Sequence, residues 1–542
     1  MPHIIFLFLF FIHGAHAQTY AVATAHPLAT QAGLRIMQEG GNAFDAAVAI
    51  SAALAVVEPH GSGLGGGGFW LLHDAKTNQD IVIDGRERAP LKATKNMYLD
   101  AQGEATRDSV NGPLAAGIPG VVAALDYLSE QYGQLGLAQN LQPAIEYARQ
   151  GFKTSERHHR LIKMREKVLL QSPAAKKIFI DQAAEVLIQS DLADSLTLIA
   201  RHGAEVFYQG ELAQRLVAGV QDAGGIWQLE DLASYRLERR SPIKTQYKNL
   251  SLILPPPPTS GGVVLSQMLA MLEAVELTQL SAVERIHVIT EAMRRAYQDR
   301  ALYLGDPAYS DIPMQMLLDK NYARAKFASF DPQRASPSEQ LAMTKLHEGQ
   351  DTSHFSVLDT AGNFVAATLS INYPFGSGFV APGTGILLND EMDDFVIAPG
   401  VANVWGLVGS EVNSIAPGKR MLSSMTPLFA YDGDKVLIAG TPGGSRIISM
   451  LALALLDFQA GASSQEIVSG RRFHHQYLPD QLQFELHALS SAEKHILTQK
   501  GHTLKEIQRH YGNMQVIVWD RKQQTVSAAS DPRGEGLART SP

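Results

Sequence analysis

The first part of the chain alternates apolar and polar residues at helical spacing. The pattern predicts one helix over residues 27–39, which stops at the glycine pair 40–41, and a second helix that extends to about residue 57. Asn42 is expected to cap the second helix, with Asp45 at the third position of its first turn. These two helices should pack against each other.

A glycine-rich stretch, residues 61–68, follows the second helix. Two short apolar runs after it, residues 69–73 and 80–84, are predicted to be strands. Because the glycines lie between a buried helix and a strand, we expect the missing Cβ atoms to permit close backbone packing rather than to form a flexible linker.

From residue 119 to about residue 301 the pattern is mostly helical. Ser281 and Glu284 form a capping box that opens a long helix. The four prolines of residues 255–258 predict a stiff spacer before a further helix. The composition turns polar over residues 334–350, which predicts an exposed linker.

After Thr352 the pattern changes to strand. Residues 352–359 and 364–372 alternate around a turn at residues 360–363, which predicts a β-hairpin. Two further strands and one helix are predicted at residues 435–439, 514–519 and 447–458.

The bulk composition is that of a large globular protein. With 542 residues and 45% hydrophobic content, the chain predicts two domains or one elaborated domain. A net charge of −8 argues against nucleic acid as a partner. The chain has no cysteine, so disulfides cannot contribute to its stability.

The N-terminus predicts export. An apolar run, residues 4–12, precedes the small residues Ala15 and Ala17, although no Lys or Arg comes before it. This is typical of a signal peptide over residues 1–17, removed on the way to a secreted, periplasmic location. A membrane anchor needs about 20 apolar residues, more than this run provides.

Thr352 is the candidate nucleophile. The chain has neither cysteine nor a Gly-x-Ser-x-Gly elbow, which leaves a terminal Thr activated by its own α-amino group as a solution. With a pKa of about 7.7 to 8.0, on the order of a tenth of such an amine is a free base at pH 7. The amine exists only after the Asp351–Thr352 bond is cut, so the Thr352 hydroxyl would first attack the Asp351 carbonyl. On residue chemistry alone, an ordinary strand start remains open.

Several motifs on both sides of Thr352 closely resemble those of the γ-glutamyltranspeptidase family. They span residues 21–533, which is nearly the whole predicted mature chain. The motifs are HPLA (26–29), GGNA (40–43), EPH (58–60), DGRE (84–87), DTSHFSV (351–357), GILLN (385–389), MDDF (392–395), LSSM (422–425), PGGSR (442–446) and FHHQ (473–476).

The resemblance implies an N-terminal-nucleophile hydrolase fold, an α+β four-layer αββα sandwich. It also implies a precursor that splits into a large subunit, residues 18–351, and a small subunit, residues 352–542. Thr352 is then the nucleophile that takes the γ-glutamyl group as an ester. Ser370 stands where the family more often has Thr, and would hydrogen-bond the nucleophile. The backbone N–H groups of Gly443 and Gly444 would form the oxyanion hole.

The same resemblance implies how a donor is held. The residues that would bind its α-carboxylate are Arg86, Ser423 and Ser424, and those that would bind its α-ammonium are Asn372, Glu391 and Asp394. Ser370 and Asn372 are two positions apart on the predicted strand, so both should face the same side. Trp405 lies in a segment, residues 400–409, that resembles a lid loop found in part of the family, and is expected to cover the site.

The implied activity is transfer of the γ-glutamyl group from glutathione or related donors to water, amino acids or dipeptides, with no metal and no organic cofactor. One alternative is a cephalosporin acylase on the same scaffold. Its glutaryl substrate lacks the amino group, which would leave Glu391 and Asp394 without a cation. A second alternative is a processed but inactive protein that binds γ-glutamyl peptides.

Two histidine pairs, His158-His159 and His474-His475, invite a zinc interpretation. Neighbouring residues point apart and no third ligand follows at zinc-site spacing, so we expect structural roles for them. The Asp531-Pro532-Arg533 motif is also expected to be structural.

Overall fold

A computed structural model describes residues 19–182, 185–338, 352–398 and 401–541. The helices are α1 (Pro27–Gln38), α2 (Ala43–Val57), α3 (Val121–Gln131), α4 (Leu137–Gln150), α5 (Glu156–Leu169), α6 (Pro173–Ala175), α7 (Ser190–His202), α8 (Glu205–Tyr208), α9 (Glu211–Asp222), α10 (Leu229–Ala233), α11 (Gly261–Leu272), α12 (Ala282–Tyr303), α13 (Met314–Leu317), α14 (Lys320–Phe327), α15 (Arg446–Gln459), α16 (Ser464–Ser469) and α17 (Ser491–Gln499). Short 3₁₀ turns span Pro113–Ala115, Leu277–Gln279, Glu391–Asp394 and Glu411–Asn413, and a π-helical turn spans Lys176–Ile180.

The strands are β1 (Ala21–Thr24), β2 (Gly67–Asp74), β3 (Gln79–Asp84), β4 (Phe152–Lys153), β5 (Val186–Leu187), β6 (Glu238–Arg240), β7 (Ile243–Tyr247), β8 (Leu250–Leu254), β9 (Ser353–Leu358), β10 (Phe364–Ser370), β11 (Leu428–Asp432), β12 (Lys435–Gly440), β13 (Phe473–His474), β14 (Leu482–Glu485), β15 (Leu504–Ile507), β16 (Gln515–Asp520), β17 (Thr525–Ser530) and β18 (Leu537–Thr540). Two of the sheets they form are large. The first has the order β18-β1-β9-β10-β2-β3-β6 and the second β17-β16-β12-β11-β8-β7.

The alternation of side chains along β2 shows how the layers stack. Phe69 and Leu71 belong to a core shared with the second sheet and with α11, α12 and α15. Trp70 and Leu72 belong to a separate core shared with α2, α3 and α4. Because successive strand residues point to opposite faces, the first sheet lies between the helices and the second sheet. The predicted four-layer αββα sandwich is confirmed.

Helix α2 begins as its sequence predicts. The Asn42 side chain accepts hydrogen bonds from the backbone N–H groups of Phe44 and Asp45, and Asp45 accepts one from the Asn42 N–H at 3.1 Å. All residues of α2 are buried, because the helix lies between β9 and β10 on one side and α1 and α4 on the other. A helix that is apolar all round is suited to this position.

The glycine-rich stretch packs closely on backbone, as expected. A Cβ atom on Gly65 would lie 2.2 Å from the carbonyl oxygen of Leu387, and one on Gly66 would lie 2.2 Å from that of Ser370. No larger residue fits at either position. The stretch therefore lies directly against the end of β10.

The predicted hairpin is confirmed as β9 and β10, which pair antiparallel with Ser353 opposite Leu369. The long helix opened by Ser281 is confirmed as α12, and the later strand and helix predictions are confirmed as β12, β16 and α15. No helix in the described ranges is long and apolar enough to cross a bilayer. The predicted signal peptide and most of the predicted linker, residues 339–350, lie outside the described residues.

The segment up to residue 301 is mostly helical, as predicted, but it also contains strands that the sequence pattern did not predict. Strands β6, β7 and β8 lie there, and β7 and β8 form one edge of the second sheet. In β7 only Ile243 and Tyr247 are buried, as is typical of an edge strand with one face to solvent. Such a short run gives little periodicity, and pairing with β11 through β8 decides its structure.

Candidate active site

Thr352 immediately precedes β9, an inner strand of the first sheet, and is buried. Since Ser353 pairs with Leu369, Thr352 comes next to Ser370 at the end of β10. The two hydroxyl oxygens, Thr352 Oγ1 and Ser370 Oγ, are 3.4 Å apart. The hairpin therefore places the candidate nucleophile beside the hydroxyl that the resemblance assigns to it.

Asn372 also lies at this site, but not as a residue of the strand, as was predicted. Strand β10 ends at Ser370, and Asn372 has a φ of 73°, so strand alternation does not set its direction. The backbone N–H of Asn372 donates to Ser370 Oγ at 2.8 Å, which turns the chain back over the strand end. The prediction that the two residues share a strand face is wrong, although both line one cavity.

Arg86 follows β3 and is almost completely buried. Its Nη1 donates to Glu391 Oε2 at 2.5 Å and its Nη2 to Asp394 Oδ2 at 2.6 Å. Its Nε donates to the carbonyl oxygen of Met421 at 3.1 Å. The predicted carboxylate-binding cation and the two predicted ammonium-binding carboxylates are thus in direct contact, and the single positive charge offsets only part of the negative charge.

The carboxyl groups around Arg86 are unusually basic. Burial raises the pKa of Glu391 to about 7, although Arg86 opposes the shift. Burial and the nearby Glu391 raise the pKa of Glu87 well above its ordinary value. Burial disfavours the charged form of Arg86, but the surrounding carboxylates raise its pKa nonetheless. A single guanidinium among three carboxyl groups leaves part of the cluster protonated near neutral pH.

Ser423 and Ser424 lie on a loop held against the N-terminal side of α11. The Ser423 N–H donates to the carbonyl of Pro258 at 2.8 Å, and the Ser260 N–H donates back to the Ser423 carbonyl at 2.8 Å. Arg300 of α12 donates to Ser424 Oγ at 3.2 Å. Sequence reasoning missed Arg300, a second buried guanidinium beside the site, whose pKa burial lowers to about 10.

Gly443 and Gly444 form the turn that leads into α15. Their φ values are 144° and 56°, a backbone region that other residues rarely adopt. Gly444 lines the cavity that contains Thr352; Gly443 precedes it in the turn, and a Cβ atom there would meet Met450. The N-terminal side of a helix presents backbone N–H groups, which suits the predicted stabilisation of an oxyanion.

Trp405 covers the site. Its Nε1 donates to Asn372 Oδ1 at 2.5 Å, and its carbonyl accepts from Gln476 Nε2 at 3.2 Å. Gln476 also accepts from Ser445 Oγ at 2.6 Å, and so joins the Trp405 loop to the Gly443-Gly444 turn. The family motif contains Gln476, but nothing in the sequence indicates that its side chain bridges these two loops.

The cavity beneath Trp405 has a volume of about 20 Å³. Its lining includes the predicted site residues Arg86, Thr352, Ser370, Asn372, Glu391, Asp394, Trp405, Ser423, Ser424 and Gly444. This volume is roughly that of one water molecule, so the lining must rearrange before the cavity can hold a substrate group. Asp351, on the other side of the proposed cleavage point, lies outside the described residues.

The histidines of the FHHQ motif make protein hydrogen bonds. His474 contacts Ser449, and its Nε2 is 2.8 Å from Gln476 Oε1. His475 Nε2 is 3.1 Å from Asp480 Oδ1. Burial lowers the pKa of both rings, that of His475 to about 4. These contacts agree with the predicted structural role.

One group with the composition of a metal site was not predicted. Glu291, His287 and His502 bring their ligand atoms within 4.8 Å of one another. However, the two rings are hydrogen-bonded at 2.8 Å, and Glu291 accepts from Arg294 at 3.1 Å and Arg295 at 2.6 Å. Two arginines already neutralise the carboxylate, so the group fits a hydrogen-bonded network better than a cation site.

Comparison with known proteins agrees with this geometry. The family model described as Gamma-glutamyltranspeptidase matches residues 29–541. A glutathione hydrolase proenzyme from Pseudomonas sp. (strain A14) is 40% identical over 510 residues, which cover 91% of this chain and 88% of the relative. The match therefore spans the large N-terminal part, Thr352 and the C-terminal sheet together.

Solved structures show the same fold. Cephalosporin acylase from Bacillus halodurans superposes with a TM-score of 0.86 at 27% identity, over 96% of each chain. The gamma-glutamyltranspeptidase of Helicobacter pylori is 40% identical with a TM-score of 0.57, over 58% of this chain and 93% of that one. Taken with the family match along nearly the whole chain, these likenesses show that the protein belongs to the gamma-glutamyltranspeptidase family.

Proposed function

We propose that this chain is a self-processing γ-glutamyl hydrolase and transferase that acts on glutathione and related donors. One observation carries the proposal: Thr352 shares a cavity with a buried guanidinium, Arg86, that is paired to two carboxylates, Glu391 and Asp394. The α-carbon end of a γ-glutamyl donor carries one carboxylate and one ammonium group. The cluster offers the complement of each.

Donor binding would exchange these ion pairs. The donor carboxylate would take the Arg86 guanidinium in place of Glu391 and Asp394, and the donor ammonium would take the two carboxylates. Ser423, Ser424 and Asn372 would add polar contacts to the two groups. Because each buried charge gains a new partner as it loses the old one, the exchange avoids leaving an unpaired buried charge.

The reaction then proceeds through an ester. The α-amine of Thr352, present after self-cleavage, accepts the proton of the Thr352 hydroxyl, whose oxygen attacks the γ-carbonyl of the donor. Ser370 orients the nucleophile, and the N–H groups of Gly443 and Gly444 stabilise the negative oxygen. Glutathione would lose cysteinylglycine, and water, an amino acid or a dipeptide would then take the γ-glutamyl group.

The proposal includes the maturation of the chain. Cleavage between Asp351 and Thr352 would yield a large subunit, residues 18–351, and a small subunit, residues 352–542. Removal of residues 1–17 would accompany export to the periplasm. N-terminal sequencing of both subunits from the periplasmic fraction tests these boundaries, which predict Gln18 and Thr352 as first residues.

The likeness to a cephalosporin acylase supports a second candidate, hydrolysis of glutaryl side chains. A glutaryl group has the terminal carboxylate but no ammonium. Its carboxylate would draw Arg86 away from Glu391 and Asp394 without supplying a replacement cation. That cost favours γ-glutamyl donors.

The test combines processing with donor choice. We expect the purified protein to separate into two fragments on a denaturing gel, and Thr352→Ala to remain one chain. The processed protein should cleave a γ-glutamyl anilide in preference to a glutaryl anilide. Preference for the glutaryl anilide would support the acylase instead. Tight glutathione binding without release of cysteinylglycine would indicate an inactive binding protein.

A further inference from the structure

Self-cleavage poses a chemical problem that donor turnover does not. Before cleavage the nitrogen of Thr352 belongs to a peptide bond and cannot accept a proton, so the Thr352 hydroxyl needs another base. If the chain cleaves itself as proposed above, a neighbouring side chain must supply that base.

The side-chain hydroxyl of Ser370 lies next to that of the nucleophile, Thr352. Its Oγ is 3.4 Å from Thr352 Oγ1 and accepts the backbone N–H of Asn372 at 2.8 Å. A hydroxyl has one proton to donate and two lone pairs. With one lone pair directed to the Asn372 N–H, Ser370 can accept the proton of Thr352 and donate its own onward.

Glu391 is placed to receive that proton. It is 1% exposed, and its Oε2 is held by Arg86 Nη1 at 2.5 Å. Within the described part of the chain, its Oε1 accepts no hydrogen bond. The Ser370 hydroxyl nevertheless interacts with this carboxyl and lowers its pKa. One oxygen of Glu391 is thus anchored while the other stays available in the cavity shared with Thr352 and Ser370.

We propose that Glu391 is the proton acceptor for self-cleavage and receives the proton of the Thr352 hydroxyl through Ser370. In this step a bond forms between Thr352 Oγ1 and the carbonyl carbon of Asp351. The Thr352 proton passes to Ser370 Oγ, and the Ser370 proton passes to Glu391 Oε1.

The proton held by Glu391 is then transferred to the leaving nitrogen. Glu391 gives it back through Ser370 to the nitrogen of Thr352 as the bond between that nitrogen and the Asp351 carbon breaks. The products are an ester and a neutral α-amine. Water then hydrolyses the ester, with the new amine as its base, and releases the Asp351 carboxylate.

The neighbouring carboxyl groups are less suited to this role. Asp394 has both oxygens engaged, Oδ2 by Arg86 and Oδ1 by Asn403 Nδ2 at 3.0 Å. Glu87 and Asp390 each keep an oxygen without a hydrogen-bond partner among the described residues, but neither lines the cavity with Thr352. Glu391 combines an available oxygen with a place in that cavity.

The electrostatic surroundings favour proton uptake. The charged and titratable groups that face Glu391 or its ion pairs are Arg86, Glu87, Asp390, Asp394 and Arg300. Burial raises the pKa of Glu391 to about 7, with Arg86 opposing. A carboxyl group with a pKa near the working pH is a better proton acceptor than an ordinary one. Once cleavage is complete, the same carboxylate is free for its proposed role in binding the donor ammonium.

The test follows the cleavage of newly made full-length chain on denaturing gels from pH 5.5 to 8.5, after cell-free synthesis at low temperature. We expect Glu391→Gln to slow cleavage on the order of 100-fold or more, the usual contribution of a general base. Asp457→Asn is the matched control: burial raises the pKa of this carboxyl group to about 6, but it does not line the cavity, so the variant should cleave at a rate within about threefold of wild type. The wild-type rate should rise with pH through about 7, because only ionised Glu391 accepts a proton.

A thermal unfolding scan shows whether Glu391→Gln folds. If it does not, variants of Ser370 provide a second test. Ser370→Ala should slow cleavage, whereas Ser370→Thr, which keeps the hydroxyl, should restore it. Cleavage of Glu391→Gln at the wild-type rate, or a wild-type rate that is flat from pH 5.5 to 8.5, would overturn the inference. If wild-type chain itself never cleaves, the proposed function fails instead.

Discussion

The indole ring of Trp405 lies on the backbone of Gly444, so closely that a Cβ atom on Gly444 would come within 2.2 Å of the ring atom Cε3. The same side chain donates from Nε1 to Asn372 Oδ1. Trp405 therefore covers the proposed oxyanion donor and occupies the proposed ammonium acceptor at once. A donor ammonium bound at Asn372 would therefore compete with Trp405 for this oxygen.

Substitution of Gly444 tests the close contact between its backbone and Trp405. Gly444→Ala should lower kcat/KM on the order of 100-fold, because the added methyl group meets Trp405 and strains a residue with a φ of 56°. Gly461→Ala is the matched control: its φ is 87°, but a Cβ atom there meets nothing within 4 Å. It should lose about 1 kcal/mol of stability and keep its activity. Equal activity losses in the two variants would contradict the assignment of Gly444.

Substitution of Trp405 tests its role as a cover over the site and its hydrogen bond to Asn372. Trp405→Ala should raise the ratio of hydrolysis to transfer several-fold, since bulk water gains access to the ester once the covering ring is removed. Trp405→Phe keeps a ring over Gly444 but loses the hydrogen bond to Asn372, so it should lower the donor KM with little change in that ratio. Rates of anilide release with and without an acceptor dipeptide measure both effects. A ratio in Trp405→Ala equal to that of wild type would argue against water exclusion by this ring.

The pairing of Arg86 with Asp394 predicts how donors are discriminated. Asp394→Asn should raise the KM for a γ-glutamyl anilide on the order of 10-fold, because a hydrogen bond between charged groups is replaced by a weaker one. The KM for a glutaryl anilide should change much less, because that donor has no ammonium for Asp394 to bind. A parallel loss with both donors would show that Asp394 acts on Arg86 rather than on the donor ammonium.

Because the protein contains buried histidines, we expect its free energy of unfolding to decrease as the pH is lowered. Burial lowers the pKa of His354 to about 3, whereas in the unfolded chain it is about 6.5. Below pH 6.5 the unfolded chain therefore binds a proton that the folded chain does not, and the free energy of unfolding decreases as the pH falls. At pH 5 this single residue accounts for about 2 kcal/mol relative to pH 7.5.

Urea unfolding of Thr352→Ala, which is expected to stay one chain, at pH 7.5 and pH 5 measures this effect. Adding His354→Gln should make the difference between the two pH values smaller, even though loss of the 2.8 Å contact with Thr368 lowers stability at both. An undiminished difference would assign the pH dependence to the other buried histidines, such as His475, whose pKa burial lowers to about 4.

Local patterns predicted much of the secondary structure. The Asn42 cap, the helix opened by Ser281 and the hairpin after Thr352 depend on residues only a few positions apart, and each is present as predicted. Strand β7 was not predicted. Its five residues, at the edge of a sheet, carry too little periodicity to outweigh the helical pattern around them.

The sequence by itself determined most of the elements and, through its motifs, which residue types the site contains. Only the tertiary structure decided how those residues meet. Arg86 and Glu391 are 305 positions apart, and their contact depends on how the turn after β3 packs against the 3₁₀ turn Glu391–Asp394. The direction of Asn372, the bridging role of Gln476 and the position of Arg300 likewise depend on packing between distant elements, because the free energy of such contacts comes from burial and pairing that no local pattern specifies.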